Sequence, residues 1–347
     1  MRRTFWVILA VAIVLLAAET IYWRITAERL RSGYQAWVAD QVARGWNVES
    51  GPPSIGGWPR SAVVTVPNLT LRHAGPTTPG NVNLALAELN LSVALVDPTS
   101  LALSLDGPVH VRAAELPDMI VSGDNTVATV PLRPTGPPSV ALHARGLRLQ
   151  PATGAWHVTV GLLNAQAEIA DSVAPGQAKP AASFSVSSEA IALPAVVKWP
   201  LGTNISSLSA DGTLTDPSQS GRLDFRQWAE AWRKAGGLLK ITHMAMGWGP
   251  LGLTSSATLA LDDQLQPMGS GTSRIVGYAE TLDRLAAAGT LTRPAATAAK
   301  AVLSLMAATS DADQPSSVDV PLTLQYRTLS MRQVPLLRLP EVDWPAR

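Results

Sequence analysis

Five histidines, His73, His110, His143, His157 and His243, are the side chains best suited to move a proton near neutral pH. They stand singly along strand-like stretches, and none shares a short motif with an acid or a nucleophile. No HExxH, GxSxG, Walker A, GxGxxG or EF-hand spacing occurs. The lysines Lys179, Lys198, Lys234, Lys240 and Lys300 each lack a serine three residues upstream, so a Ser–Lys hydrolase of the SxxK type is disfavoured. Cysteine is absent, which removes thiol nucleophiles, disulfides, iron–sulfur clusters and cysteine-based zinc sites. Asp262-Asp263 and Asp311-Ala312-Asp313 offer oxygen ligands, yet turns use aspartate in the same way. These residues name no catalytic, cofactor or metal site. A hydrolase assembled from distant residues is the least favoured reading.

The composition points elsewhere. Charged residues make up 15% of the 347, against roughly 25% in ordinary soluble domains. The net charge of +1 creates no field to steer the chain onto polyanions, so nucleic acid is not an expected partner. The 27 prolines exceed the usual ~5% and accompany many Val, Leu and Thr, a mixture that favours short strands over a helical bundle.

Arg2 and Arg3 precede an uncharged run from Phe5 to Ala18, and the apolar character continues to Trp23. As a helix, Phe5 to Trp23 would be roughly 28 Å long, about one hydrocarbon core. Trp6 at one end and Tyr22 and Trp23 at the other occupy the expected membrane interfaces. A cleaved signal peptide is the rival, but Leu16-Ala17-Ala18 fits a cleavage site only in part. The reading is therefore a single-pass signal-anchor over residues 1–32, with residues 33–347 exported: an inner (cytoplasmic) membrane protein, its bulk periplasmic. Arg24, Arg29 and Arg31 oppose that orientation, because they add positive charge on the far side. Glu19 either snorkels toward the interface or meets a partner. Trp6, Trp23, Trp37, Trp46 and Trp58 crowd the first 58 residues, as interfacial anchors or as core.

Residues 24–46 continue the helix, with Leu30, Tyr34, Trp37 and Val38 near helical spacing and glycines at its end. From Ser61 the period becomes two. Val82 to Val96 changes phase, from Leu84 and Leu86 to Leu89, Leu91 and Val93, as a β-bulge would require. Further strands are expected at Leu101–Leu105, Val109–Ala113, Val127–Leu132, Val140–Leu149, Trp156–Ile169, Ser183–Leu193, Leu238–Gly247 and Leu251–Leu261. Asp106-Gly107 and Asp211-Gly212 read as hairpin turns. Helices are expected at Asp224–Ala235, Tyr278–Ala288 and Pro294–Ala308, and a final strand at Ser316–Arg327. Linkers are expected at Gly75–Gly80, Pro134–Pro138, Asp171–Pro180 and Ser310–Pro315; if the body divides, a sub-boundary near 216–223 is the place. The fold class is β-rich α+β: long antiparallel curled sheets with covering helices, preceded by one N-terminal transmembrane helix.

Gly45-Trp46-Asn47-Val48, Gly51, and Gly57-Trp58-Pro59-Arg60 leading into Val63-Val64-Thr65-Val66 resemble the opening of the DUF2125 family. These are uncharacterised membrane-anchored proteins of alphaproteobacterial type. Trp248-Gly249-Pro250-Leu251 and Gln266-Pro267-Met268-Gly269, followed by the helix from Tyr278, continue the resemblance. Trp58 stands where another aromatic is usual. The family assigns no catalytic residues. More distantly, the architecture resembles the AsmA-like envelope proteins, which join an N-terminal anchor to curled sheets. The expected function is thus non-enzymatic. One version is a membrane-anchored envelope protein that binds lipid or another apolar ligand in a sheet groove. The other is an envelope scaffold that docks a protein partner. In both, the bilayer is a partner and no cofactor is implied.

Overall fold

A computed structural model describes residues 2–73, 82–113, 117–132, 137–169, 180–215, 225–307, 317–331 and 334–344. The chain divides into two compact units, Met1–Gly136 and Pro137–Arg347. The expected linkers lie outside the described residues, apart from Pro137, Pro138 and Pro180. Asp311, Asp313 and the 216–223 boundary also lie outside them.

The first unit opens with α1, one helix over Arg2–Ala43. Its segment Thr4–Ala43 is long and apolar enough to cross a membrane, and its most apolar window has a mean hydropathy of 2.3. Gly45, at φ 90°, ends the helix in a conformation that side chains avoid. Trp46 therefore leaves the helix in which it was expected and starts β1 (Trp46–Glu49). Short β2 (Ser54–Gly56) follows, then β3 (Ser61–His73), β4 (Val82–Ala94) and β5 (Ser100–Ala113). Strands β1 and β2 both pair with β3; β3 pairs with β4, and β4 with β5, all antiparallel. Strands β6 (Met119–Ser122) and β7 (Asn125–Pro131) pair with successive parts of β5.

Alternation explains the burial. Ala62, Val64 and Val66 are buried on β3, and Leu89, Leu91 and Val93 on β4. The phase of β3 then moves to Leu69, across Asn68 at φ 52°, level with the shift in β4. The β4–β5 register slips between Leu86 and Glu88, so the expected bulge is present. Its counterpart on β5 is Gly107, φ 86°. Asp106-Gly107, expected as a hairpin turn, makes none: β5 runs through it. The core joins Tyr34 of α1 to Val64, Val66, Leu69, Leu89 and Leu91, with Leu30 and Val38 packed against them.

The second unit is a meander. Strands β8 (Ser139–Pro151), β9 (Val158–Ile169), β10 (Pro180–Ala192) and β11 (Asn204–Thr215) pair in succession. After α2 (Phe225–Lys234) come β12 (Leu239–Trp248), β13 (Leu251–Leu261) and β14 (Pro267–Val276), again each paired with the one before. Helices α3 (Tyr278–Ala287) and α4 (Arg293–Met306) precede β15 (Ser317–Gln325), β16 (Thr328–Met331) and β17 (Val334–Arg338). Tyr278 of α3 and Leu303 of α4 cover Val318 and Val320 of β15. Asp211-Gly212 lies inside β11 and makes no turn. Gly212 faces Phe184 across the β10–β11 pair, and an added Cβ would sit 2.6 Å from the ring. The glycine makes room for an aromatic side chain on the neighbouring strand.

Candidate functional site

Each histidine has a local role or a surface place. His73 is buried, its ring 4.9 Å from that of Trp46. His143 Nδ1 lies 2.6 Å from Asn164 Oδ1 across the β8–β9 pair. His110 sits on β5 opposite Ala85, and His157 precedes β9. His243 borders a shallow polar depression with Ser255, Thr272, Arg274 and Asp319. The acid there is already committed: Arg274 donates to Asp319 through Nε at 2.8 Å and Nη2 at 2.9 Å. That hydrogen-bonded pairing holds the Asp319 carboxyl below the usual carboxylate range. Ser255 and Ser273 hydroxyls bond each other at 2.7 Å.

Asp262 is likewise occupied, its Oδ1 accepting the backbone N–H groups of Gln264 and Gln266 in the β13–β14 turn. Asp263 accepts from Arg233 Nη1 at 2.7 Å. Among the described residues, no three His, Asp or Glu side chains are grouped to hold a metal ion.

The first unit holds a different feature. A groove of about 700 Å³ runs between α1 and the face of β4 and β5. Helix α1 contributes Tyr22, Thr26, Arg29, Leu30, Gly33, Tyr34 and Trp37. The sheet contributes Leu89, Leu91 and Val93 of β4 and Leu101 and Leu103 of β5. Pro98, Thr99 and Leu132 also line it. From Tyr22 to Trp37 the helix rises ~22 Å, so the groove is long as well as apolar. Among the described residues that line it, Arg29 alone is charged. Gly33 leaves its middle open: an added Cβ there would meet nothing within 4 Å. Tyr34 turns its hydroxyl away, donating to Ser50 Oγ at 3.0 Å, and stacks on Trp37 at 6.1 Å.

The three residues expected at the membrane interfaces are dispersed. Trp6 is exposed near the start of α1, its ring edge-on to Phe5. Tyr22 is exposed and forms one end of the groove. Trp23 is half-buried, and its indole N–H points at Gly56 O and Ser61 O, 3.2 and 3.1 Å away. Sequence reasoning identified the apolar stripe of α1 and the apolar phase of β4 separately. It missed the space between them, for which a glycine inside the stripe was the available signal.

The sequence profile described as "Uncharacterized protein conserved in bacteria (DUF2125)" matches residues 23–340. The chain belongs to the DUF2125 family. The match begins at Trp23 and takes in the groove-lining part of α1 from Thr26 onward. No curated protein and no solved structure matches this DUF2125 chain.

Proposed function

We propose that this DUF2125 protein is a single-pass protein of the inner membrane, its bulk periplasmic, that holds an acyl chain of a lipid, or a similar apolar ligand, between α1 and β4–β5. The groove carries the reading. It is apolar along its length, and it starts at Tyr22, where the apolar run Phe5–Trp23 ends. Its volume falls within the ~300–1,000 Å³ of small-molecule sites. Each buried methylene contributes ~0.8 kcal/mol, so ten would supply about 8 kcal/mol without a polar motif. Arg29, beside the groove, offers a cation to a headgroup. No catalytic step is assigned, because the nearby polar groups are few and the histidines stand elsewhere.

Gly33→Phe tests the reading in the full-length protein in native membrane vesicles. The position has room for a side chain, and removing a helix-interior glycine favours the helix by up to ~1 kcal/mol. A photoreactive fatty acid should label Leu89, Leu91, Leu101 or Leu103 in the unsubstituted chain. In Gly33→Phe that labelling should vanish while the unfolding temperature holds or rises. Labelling that persists in the filled variant, or never reaches these residues, would exclude the groove as a lipid site and leave an envelope scaffold as the better account.

A further inference from the structure

The geometry points to a second contact with the membrane: one end of the first unit's sheet is a wedge that seats in the leaflet surface beside Trp23. Three apolar side chains crowd that end. Val96 is 96% exposed, Trp58 50% and Leu132 45%. They come from separate connections that the strand pairing brings together. Ser61 opposes Ala94, and Ser100 opposes Pro131, so residues 57–60, residues 95–99 and Leu132 all lie at one end. Backbone bonds tie them: Leu95 N–H donates to Arg60 O at 3.1 Å and Leu132 N–H to Thr99 O at 2.8 Å. An apolar tip on a tied frame is a poor surface for water and a good one for a bilayer interface.

Trp23 fixes which end this is. Its indole bonds Gly56 O and Ser61 O, the residues that flank the Trp58 connection. The wedge is therefore beside the point where the candidate span leaves the bilayer. Arg60 and Asp97 are both exposed there and opposite in charge, so the apolar side chains carry the insertion. Pro98, Thr99 and Leu132 also border the groove. Seating the wedge brings the groove's end onto the leaflet, where an acyl chain could pass in without crossing water.

The inference rests on α1 spanning the bilayer, and the experiment separates the two. The chain has no cysteine, so single cysteines can be labelled cleanly. Full-length variants Ile13→Cys, Val96→Cys and Asn47→Cys are labelled with an environment-sensitive fluorophore. They are reconstituted into phosphatidylethanolamine–phosphatidylglycerol vesicles that carry a lipid spin-labelled near the headgroup or deep in the chain. Asn47 is the distant control. It opposes Arg72 near the far end of β3, ~37 Å from Ser61 at ~3.4 Å per residue. Residue 13 should be quenched by the deep label, residue 96 by the shallow label, and residue 47 by neither. Residue 96 quenched no more than residue 47, with residue 13 still quenched, would overturn the wedge and leave the membrane span intact. Residue 13 unquenched would overturn both.

Discussion

The indole of Trp23 directs one N–H between two carbonyl oxygens of the connection that feeds β3. A ring that the sequence pattern places at an interface holds the sheet to the helix. Trp23→Phe keeps most of the ring and removes the donor. The two carbonyls lose their shared partner, at a cost of about 1 kcal/mol. Backbone amides over residues 56–61 should then exchange with deuterium several-fold faster, while amides deep in β4 keep their rates. Equal rates in both proteins would mean that the indole bond holds nothing in place. Gly33 makes the complementary case, since what matters there is the side chain the residue lacks.

Among the elements, the β14–β15 pair carries an ion pair whose protonation can be followed. Arg274 opposes Asp319 in register and reaches it with two donors. The Asp319 carboxyl is held below its ordinary value, chiefly by the hydrogen bond from Arg274. Its folded value therefore lies below its unfolded one. The pair contributes above the ordinary carboxylate range, near 3.9, and that contribution is lost as pH falls through the folded value. Both side chains are more than half exposed, so the effect on stability is small. The carboxyl-carbon resonance of Asp319 should titrate below that of a free aspartate and return to the ordinary range in Arg274→Gln. An unchanged midpoint in the variant would show that the guanidinium does not set it.

The same elements show what the amino-acid order reveals. Apolar alternation placed β3, β4, β8, β9, β10, β12 and β13, and the phase change at Leu86–Leu89 placed a bulge. Glycines misled where they served strands: Gly107 supplies a positive φ at a bulge, and Gly212 lies under Phe184. Both follow an aspartate, which imitates a hairpin turn. The reverse happened at Tyr326-Arg327. These residues form the β15–β16 turn with φ of 48° and 64°, but neither carries a turn signal, so the strand was expected to run on to Arg327. Strand β11 escaped notice because its serines and glycine break the alternation. The groove was illegible because it arises from the distance between two elements, which no period within either one records.

On the scale of the whole molecule, the proposed anchor makes a plain prediction about topology. The chain should remain in carbonate-washed membranes. Its N-terminal peptide should still include Phe5, and protease added to spheroplasts should digest the body. A mature chain beginning just after Ala18 would replace the anchor with a cleaved signal. The strand pairing has a further consequence for how the molecule is made. From β8 to β17 every strand pairs with its predecessor, so each can dock as soon as it is synthesised. Such local closure is entropically cheap and fast. The first unit departs from this order at its start, where β1 pairs with β3 rather than with its neighbour β2. Strands β1 and β2, and the indole of Trp23, all depend on β3 and the connection leading into it. Strands β1 and β2 must wait, unpaired, until Ser61–His73 arrives. Assembly should therefore pause at the start, with β3 as the seed, and then run in step with synthesis toward the C-terminus.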